Sequence, residues 1–167
     1  MTEQQRIQEL SGQQQHSCSC NACKSMCKNV PCAGTPQDIL NLVNAGFADK
    51  LAPTILSTIA TNGYLPDVYM VQPEFDKKRG CCMFFTDDGL CSLHDLGLKP
   101  TEGKLATHLP QKPDMVNTFP MPWLVAATWV LPQNVKTIKL IVKALGKINF
   151  AKPVNNIPQN SQKIFQL

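Results

Sequence analysis

Apolar and polar positions along this chain fall into five patterns. Ile39, Leu40, Leu42 and Val43 fall on one face at helical spacing. Thr35 just before them can cap, Pro36 suits a first helical position, Asp38 favours the first turn, and Gly46 stops the run. The pattern predicts a helix over 36–45. Thr54 to Ile59 and Val68 to Val71 are β-branched and read as short strands separated by Asn62, Gly63 and Pro66. Two apolar runs, Gly80 to Thr86 and Leu90 to His94, flank Asp87-Asp88-Gly89 and predict a hairpin. Trp123 to Val130 is apolar nearly all round, a buried helix that Pro132 ends. A last helix over 134–145 carries Ile138, Ile141, Val142 and Leu145 on one face, with Lys136, Lys139, Lys143 and Lys147 on the other. Together these predict a small α+β domain: a Cys-rich N-terminal loop, a β-hairpin carrying further cysteines, and packed C-terminal helices.

The ends are different. Residues 1–17 are polar and glutamine-rich, with Ile7 and Leu10 the only large apolar residues after Met1, and read as a flexible leader. Residues 151–167 hold Pro153, Pro158 and several amides and read as an irregular tail. Residues 18–150 form the domain between them. At 167 residues and 43% apolar composition, the chain is large enough for one core. The longest apolar run, Met121 to Leu131, falls short of the roughly 20 residues that cross a bilayer, and no signal peptide is visible. The expectation is a soluble, cytoplasmic protein without a membrane span.

That setting governs how the eight cysteines are read. In a reducing compartment, clustered cysteines are more often metal ligands or redox groups than structural disulfides. Cys20 and Cys23 form a C-x2-C unit whose sulfurs can turn toward one ion, and Cys27 and Cys32 extend it. The hairpin brings Cys82 and Cys91 together, with His94 three residues beyond. An ion held by both groups cross-links distant segments. Thiolates select soft or borderline metals, so the candidate ligands Cys20, Cys23, Cys27, Cys32, Cys82, Cys91 and His94 point to Zn²⁺ or iron, an iron–sulfur cluster included. Six cysteines and a histidine exceed one tetrahedral zinc. A second ion, a cluster or core-filling thiols account for the surplus.

Cys20-Asn-Ala-Cys-Lys-Ser-Met-Cys27, Pro31-Cys32 before Thr35-Pro36, and Cys82-Met-Phe-Phe-Thr-Asp-Asp-Gly-Leu-Cys-Ser-Leu-His94 together resemble the YkgJ-like, CxxCxxCC family. That mostly bacterial family is described as zinc- or iron-chelating. The resemblance covers residues 18–108 and implies Cys20, Cys23, Cys27, Cys32, Cys82 and Cys91 as ligands. Where many members carry Arg-Pro-x-x-Cys, this chain has Lys99-Pro100-Thr101-Glu102-Gly103. Cys32 or His94 then takes the missing cysteine's place, and Glu102 is a lesser candidate. Cys18 and Cys81 match no position of the pattern.

Other chemistry has less support. Asp87 and Asp88 are explained by the turn, and a cysteine nucleophile lacks a placed base: on a strand, Cys91 and His94 face opposite ways. No phosphate loop or catalytic triad is present, and no catalytic residue is assigned. From Lys136 onward the chain has six lysines and no acidic residue, but also no arginine and few aromatics, so nucleic acid is not the expected partner. The function expected is a metal-binding protein, its metal structural or handled for delivery. A metalloenzyme or redox protein with iron in the same site is the alternative. Any protein partner is left open.

Overall fold

The computed structural model describes residues 1–15, 17, 19–56, 67–106 and 121–146. The chain begins with a helix, α1 (Glu3–Ser11), where the sequence pattern gives a leader. Thr2 accepts from the Gln5 amide at 3.2 Å, and the Gln5 side chain accepts back from the Thr2 amide at 2.7 Å. This reciprocal box satisfies two amides that a bare helix start leaves open. Ile7 is fully buried, α1 packs on the apolar helix α5 (Met121–Thr128), and Glu3 accepts from Asn134 Nδ2 at 2.6 Å. Burial of Ile7, one capping box and the Glu3–Asn134 bond thus outweigh a polar composition. Ile7→Ala is expected to cost about 3 kcal/mol in urea unfolding, as for a buried aliphatic, where a flexible leader gives no change.

Helix α2 (Asn21–Asn29) carries the first cysteines, and α3 (Pro36–Asn44) follows as the pattern predicts. Thr35 and Asp38 form a capping box, Pro36 occupies the first turn, and Ile39 and Leu42 are fully buried. Strands β1 (Leu51–Leu56) and β2 (Val68–Pro73) pair antiparallel, Leu51 opposite Pro73 and Leu56 opposite Val68. The expected strand end beyond Leu56 lies outside the described residues. Strand β2 buries Val68 and Met70 on one face and Val71 on the other, and α3 and α5 pack against this strand.

The predicted hairpin is two reversals in succession. The first joins β3 (Phe75–Asp76) to β4 (Cys81–Cys82). Asp76 Oδ1 accepts from the amides of Lys78 and Arg79 at 2.9 and 3.1 Å, and Gly80 closes the turn at φ +66°. Asp76-Lys77-Lys78-Arg79 is a charged run in sequence, and no hairpin signal marks this first reversal. The second reversal is the expected Asp87-Asp88-Gly89 turn, closed by the Thr86 amide on Leu90 O and a bridge between Phe85 and Cys91. Past it the chain does not continue as a strand. The amides of His94, Gly97 and Leu98 donate back to Cys91, His94 and Leu93, so 91–98 is a series of turns.

A short helix α4 (Thr101–Leu105) precedes α5, which is buried from Trp123 to Thr128, and α6 (Val135–Leu145) packs on α3. Ile141 is fully buried while Lys136, Lys139 and Lys143 are exposed, as the helical pattern requires. Lys147, His108 and the tail lie outside the described residues. The architecture is a small α+β chain with two two-stranded antiparallel sheets, α3 and α5 packing on the first and α2 on the second. Among the described residues, no helix is long and apolar enough to cross a membrane.

Candidate metal centre

The first cysteine block is helical, not a loop. Cys20 is the N-cap of α2, and Cys23 and Cys27 lie four apart on one face. No Gly or Pro interrupts Asn21 to Asn29, so the chain continues through the C-x2-C unit as helix. Yet α2 buries none of its own residues and lacks a side-chain cap. Nine residues are also fewer than the roughly 12–15 an isolated helix needs in water. Its main neighbour is β4, with the Lys24 stem lying over Gly89 of the second turn.

The segment after α2 is held far more firmly. The Ala33 amide donates to Glu102 Oε2, while the Glu102 amide returns a bond to Ala33 O at 3.1 Å. Trp129 Nε1 donates to Gly34 O at 2.8 Å. Asp38 Oδ2 accepts from the amide and hydroxyl of Thr35 at 2.9 and 3.1 Å and from those of Thr101 at 3.0 and 2.6 Å. One carboxylate oxygen therefore ties the start of α3 to the start of α4. Cys32 is carried on this framework, and Gly103 gives it room: a Cβ there would sit 2.8 Å from Cys32 Sγ and 3.0 Å from Lys99 Cε. Gly103→Ala is expected to destabilise the fold by about 1–3 kcal/mol and displace the Cys32 thiol. Chemical denaturation and the thiol's alkylation rate measure the two effects.

Cys82 and Cys91 are set by anchors two residues away. Phe84 and Leu93 are buried in the core, and Phe84 meets Phe47 edge-on at 5.4 Å between ring centres. These anchors direct Cys82 and Cys91 toward Cys27 and Cys32. All four line one small cavity of about 10 Å³, room for about one water-sized sphere, walled otherwise by Pro73, Pro100 and aromatic and aliphatic side chains. The four come from α2, the braced loop, β4 and the second turn.

The electrostatics of the four thiols differ. A hydrogen bond from Cys32, aided by Lys99 and His94, lowers the Cys27 pKa against the pull of burial. The same bond, together with burial and the nearby Glu102 carboxylate, raises Cys32. Desolvation pushes Cys82 up to about 11 and also raises Cys91, each offset in part by backbone amides. Burial likewise raises Glu102, against the bond from the Ala33 amide.

Two larger hollows adjoin the thiols. One, of about 160 Å³, is lined by Cys23, Met26, Cys27, Cys32, Lys99 and Glu102 among others. The other, of about 90 Å³, includes Cys23, Cys27, Cys91, His94 and Lys99. Cys91 and His94 therefore share a cavity, contrary to the strand expectation, because the chain turns between them. His94 is exposed and lies 3.5 Å from Ser17 Oγ through Nε2; it does not line the four-cysteine cavity. Cys23 stands one turn back along α2, and Cys20 is exposed at the helix start. Glu102 is occupied by the Ala33 amide. Cys81 is buried in β4 opposite Asp76, and Cys18 lies outside the described residues.

Sequence reasoning missed Lys99 and Gly103. An isolated glycine in a helical stretch was the available signal for Gly103; nothing in the pattern marks Lys99. Among the described residues, no group of three or more His, Cys, Asp or Glu is arranged to hold an ion as the side chains stand. Comparison with family models, curated proteins and solved structures returned no match.

Proposed function

We propose that the chain binds one zinc or iron ion through Cys27, Cys32, Cys82 and Cys91, with a structural or metal-handling role. The observation that supports this most is the convergence of four thiols from four segments on one apolar-walled cavity. Four sulfurs match the closed tetrahedral sphere of structural zinc and also suit iron. The sulfurs must turn inward to reach an ion. A step between staggered χ1 wells carries a cysteine sulfur about 3 Å, on a backbone that stays in place. An ion joining Cys27 to Cys82 also supplies what α2 lacks, a tether to β4.

This narrows the seven candidates to four. Cys20, Cys23 and His94 belong to the approach rather than the coordination sphere. The resemblance to the YkgJ-like family implies six cysteines, and these four are among them. A catalytic iron or zinc is the second reading, favoured by the roomy hollow beside Cys27 and Cys32, since catalytic metals keep an open position. Cobalt(II) titration of reduced protein tests the binding. Sulfur-to-cobalt charge transfer and intense tetrahedral ligand-field bands, saturating at one equivalent, are expected. Only the weak bands of octahedral cobalt would contradict it.

A further inference from the structure

Cys27 and Cys32 stand apart from the other thiols. Of the described cysteines, they alone line both the four-cysteine cavity and the 160 Å³ hollow beside it. Both border the 160 Å³ hollow, and Cys27 also lines the second hollow, giving a small molecule access from two sides. Cys82 has only 7% of its surface exposed and lines neither. Cys27 lies in the last turn of α2, a helix with no fully buried residue, so its backbone can adjust to disulfide geometry, while Cys32 is held by the loop braced on Glu102, Trp129 and Asp38.

We propose that Cys27 and Cys32 are a reversible dithiol that exchanges with small-molecule disulfides of the glutathione class. The Cys27 thiolate attacks one sulfur of the disulfide. The S–S bond breaks, one thiolate leaves and takes up a proton, and Cys27 is left as a mixed disulfide. Cys32, giving its proton to solvent, attacks the Cys27 sulfur and expels the second thiol. The dithiol thus loses two protons and two electrons, and the small disulfide takes up both to become two thiols. Lys99, lining both hollows, lies beside the attacking sulfur. A Cys27–Cys32 disulfide removes two of the four proposed metal ligands, so oxidation and metal binding exclude each other. That last step rests on the metal reading; the disulfide does not.

The test is peptide mapping of the full chain after reduction, metal removal and treatment with oxidised glutathione at neutral pH. The expected product is a Cys27–Cys32 disulfide with Cys82 still alkylatable. Cys32→Ser should instead accumulate glutathione on Cys27, and the wild-type map stands even if that variant folds poorly. Glutathione retained mainly on Cys20 or Cys23, or no disulfide at all, would overturn the assignment. In a parallel sample with one equivalent of zinc, bound metal should block the oxidation. Bound zinc with undiminished oxidation would overturn the exclusion. Disulfide formation in a chain that binds no zinc would support the dithiol and count against the metal reading alone.

Discussion

Cys82→Ser is expected to abolish stoichiometric metal binding and to release α2 from β4. Cys82 is buried, and its desolvated thiol is costly to ionise without a cation beside it. A serine hydroxyl of similar size is a hard, neutral donor in an apolar-walled cavity, and it leaves the ion three sulfurs. Altering partners outside the coordination sphere already weakens metal binding by about 10–100-fold, so removing a direct ligand should exceed about a hundredfold. Binding energy here is also folding energy: helix α2 buries no residue of its own. The variant should therefore melt lower than the metal-loaded wild type and no longer respond to added zinc. Cys20→Ser is the control. Its residue is an exposed N-cap without a side-chain cap bond, and metal affinity should be unchanged. Competition with a chromogenic chelator reads the affinities, and thermal unfolding with and without metal reads the coupling. Equal affinities for the two variants would contradict the four-thiol assignment.

Asp38→Ala should cost about 3 kcal/mol and also reach the thiols. Its Oδ2 accepts four bonds, two from Thr35 and two from Thr101, and both threonines are buried. Truncation leaves those amides and hydroxyls without a carboxylate and removes a helix cap as well. Asp38→Asn keeps an oxygen acceptor but loses the charge, and should fall between alanine and wild type. The consequence reaches the thiols, because Cys32 lies on the segment that Thr35 anchors and Gly103 on the helix that Thr101 begins. Metal affinity should therefore weaken in Asp38→Ala, though less than in Cys82→Ser. Urea unfolding paired with metal titration measures both. A stability change below about 1 kcal/mol would show that the junction is redundant.

Local signals with a single strong cause were readable from the sequence. Thr35-Pro36-Gln37-Asp38 specified α3 because cap, proline and dipole agree. The Lys136, Lys139 and Lys143 spacing gave the exposed side of α6. The Asp87-Asp88-Gly89 turn needed only its own residues. Signals that depend on distant contacts were not readable. Helix α1 hinges on Ile7 entering a core built by α5, more than a hundred residues later, so its polar composition misled. The Asp76–Gly80 reversal was hidden because a charged run and an Asx turn use the same residue types.

The candidate site was legible as an inventory but not as a geometry. Spacing and the family resemblance gave six cysteines, with His94 as a further candidate, without showing which of them meet. Which four meet depends on α2 being helical, which turns Cys27 toward β4 and leaves Cys20 exposed at the start. It depends also on the chain turning after Cys91, which places His94 in the outer hollow. Glu102 was noticed as a carboxylate near the missing cysteine. Its role in bracing Ala33, and Gly103's in seating Cys32, follow from contacts across some seventy residues that no local pattern encodes.

The most direct test of the central claim is the metal content of untagged protein purified anaerobically, by mass spectrometry with an absorption spectrum of the same sample. The account predicts about one zinc or iron per chain, lost in Cys82→Ser and retained in Cys20→Ser. Protein that is folded, fully reduced and free of both metals would contradict it.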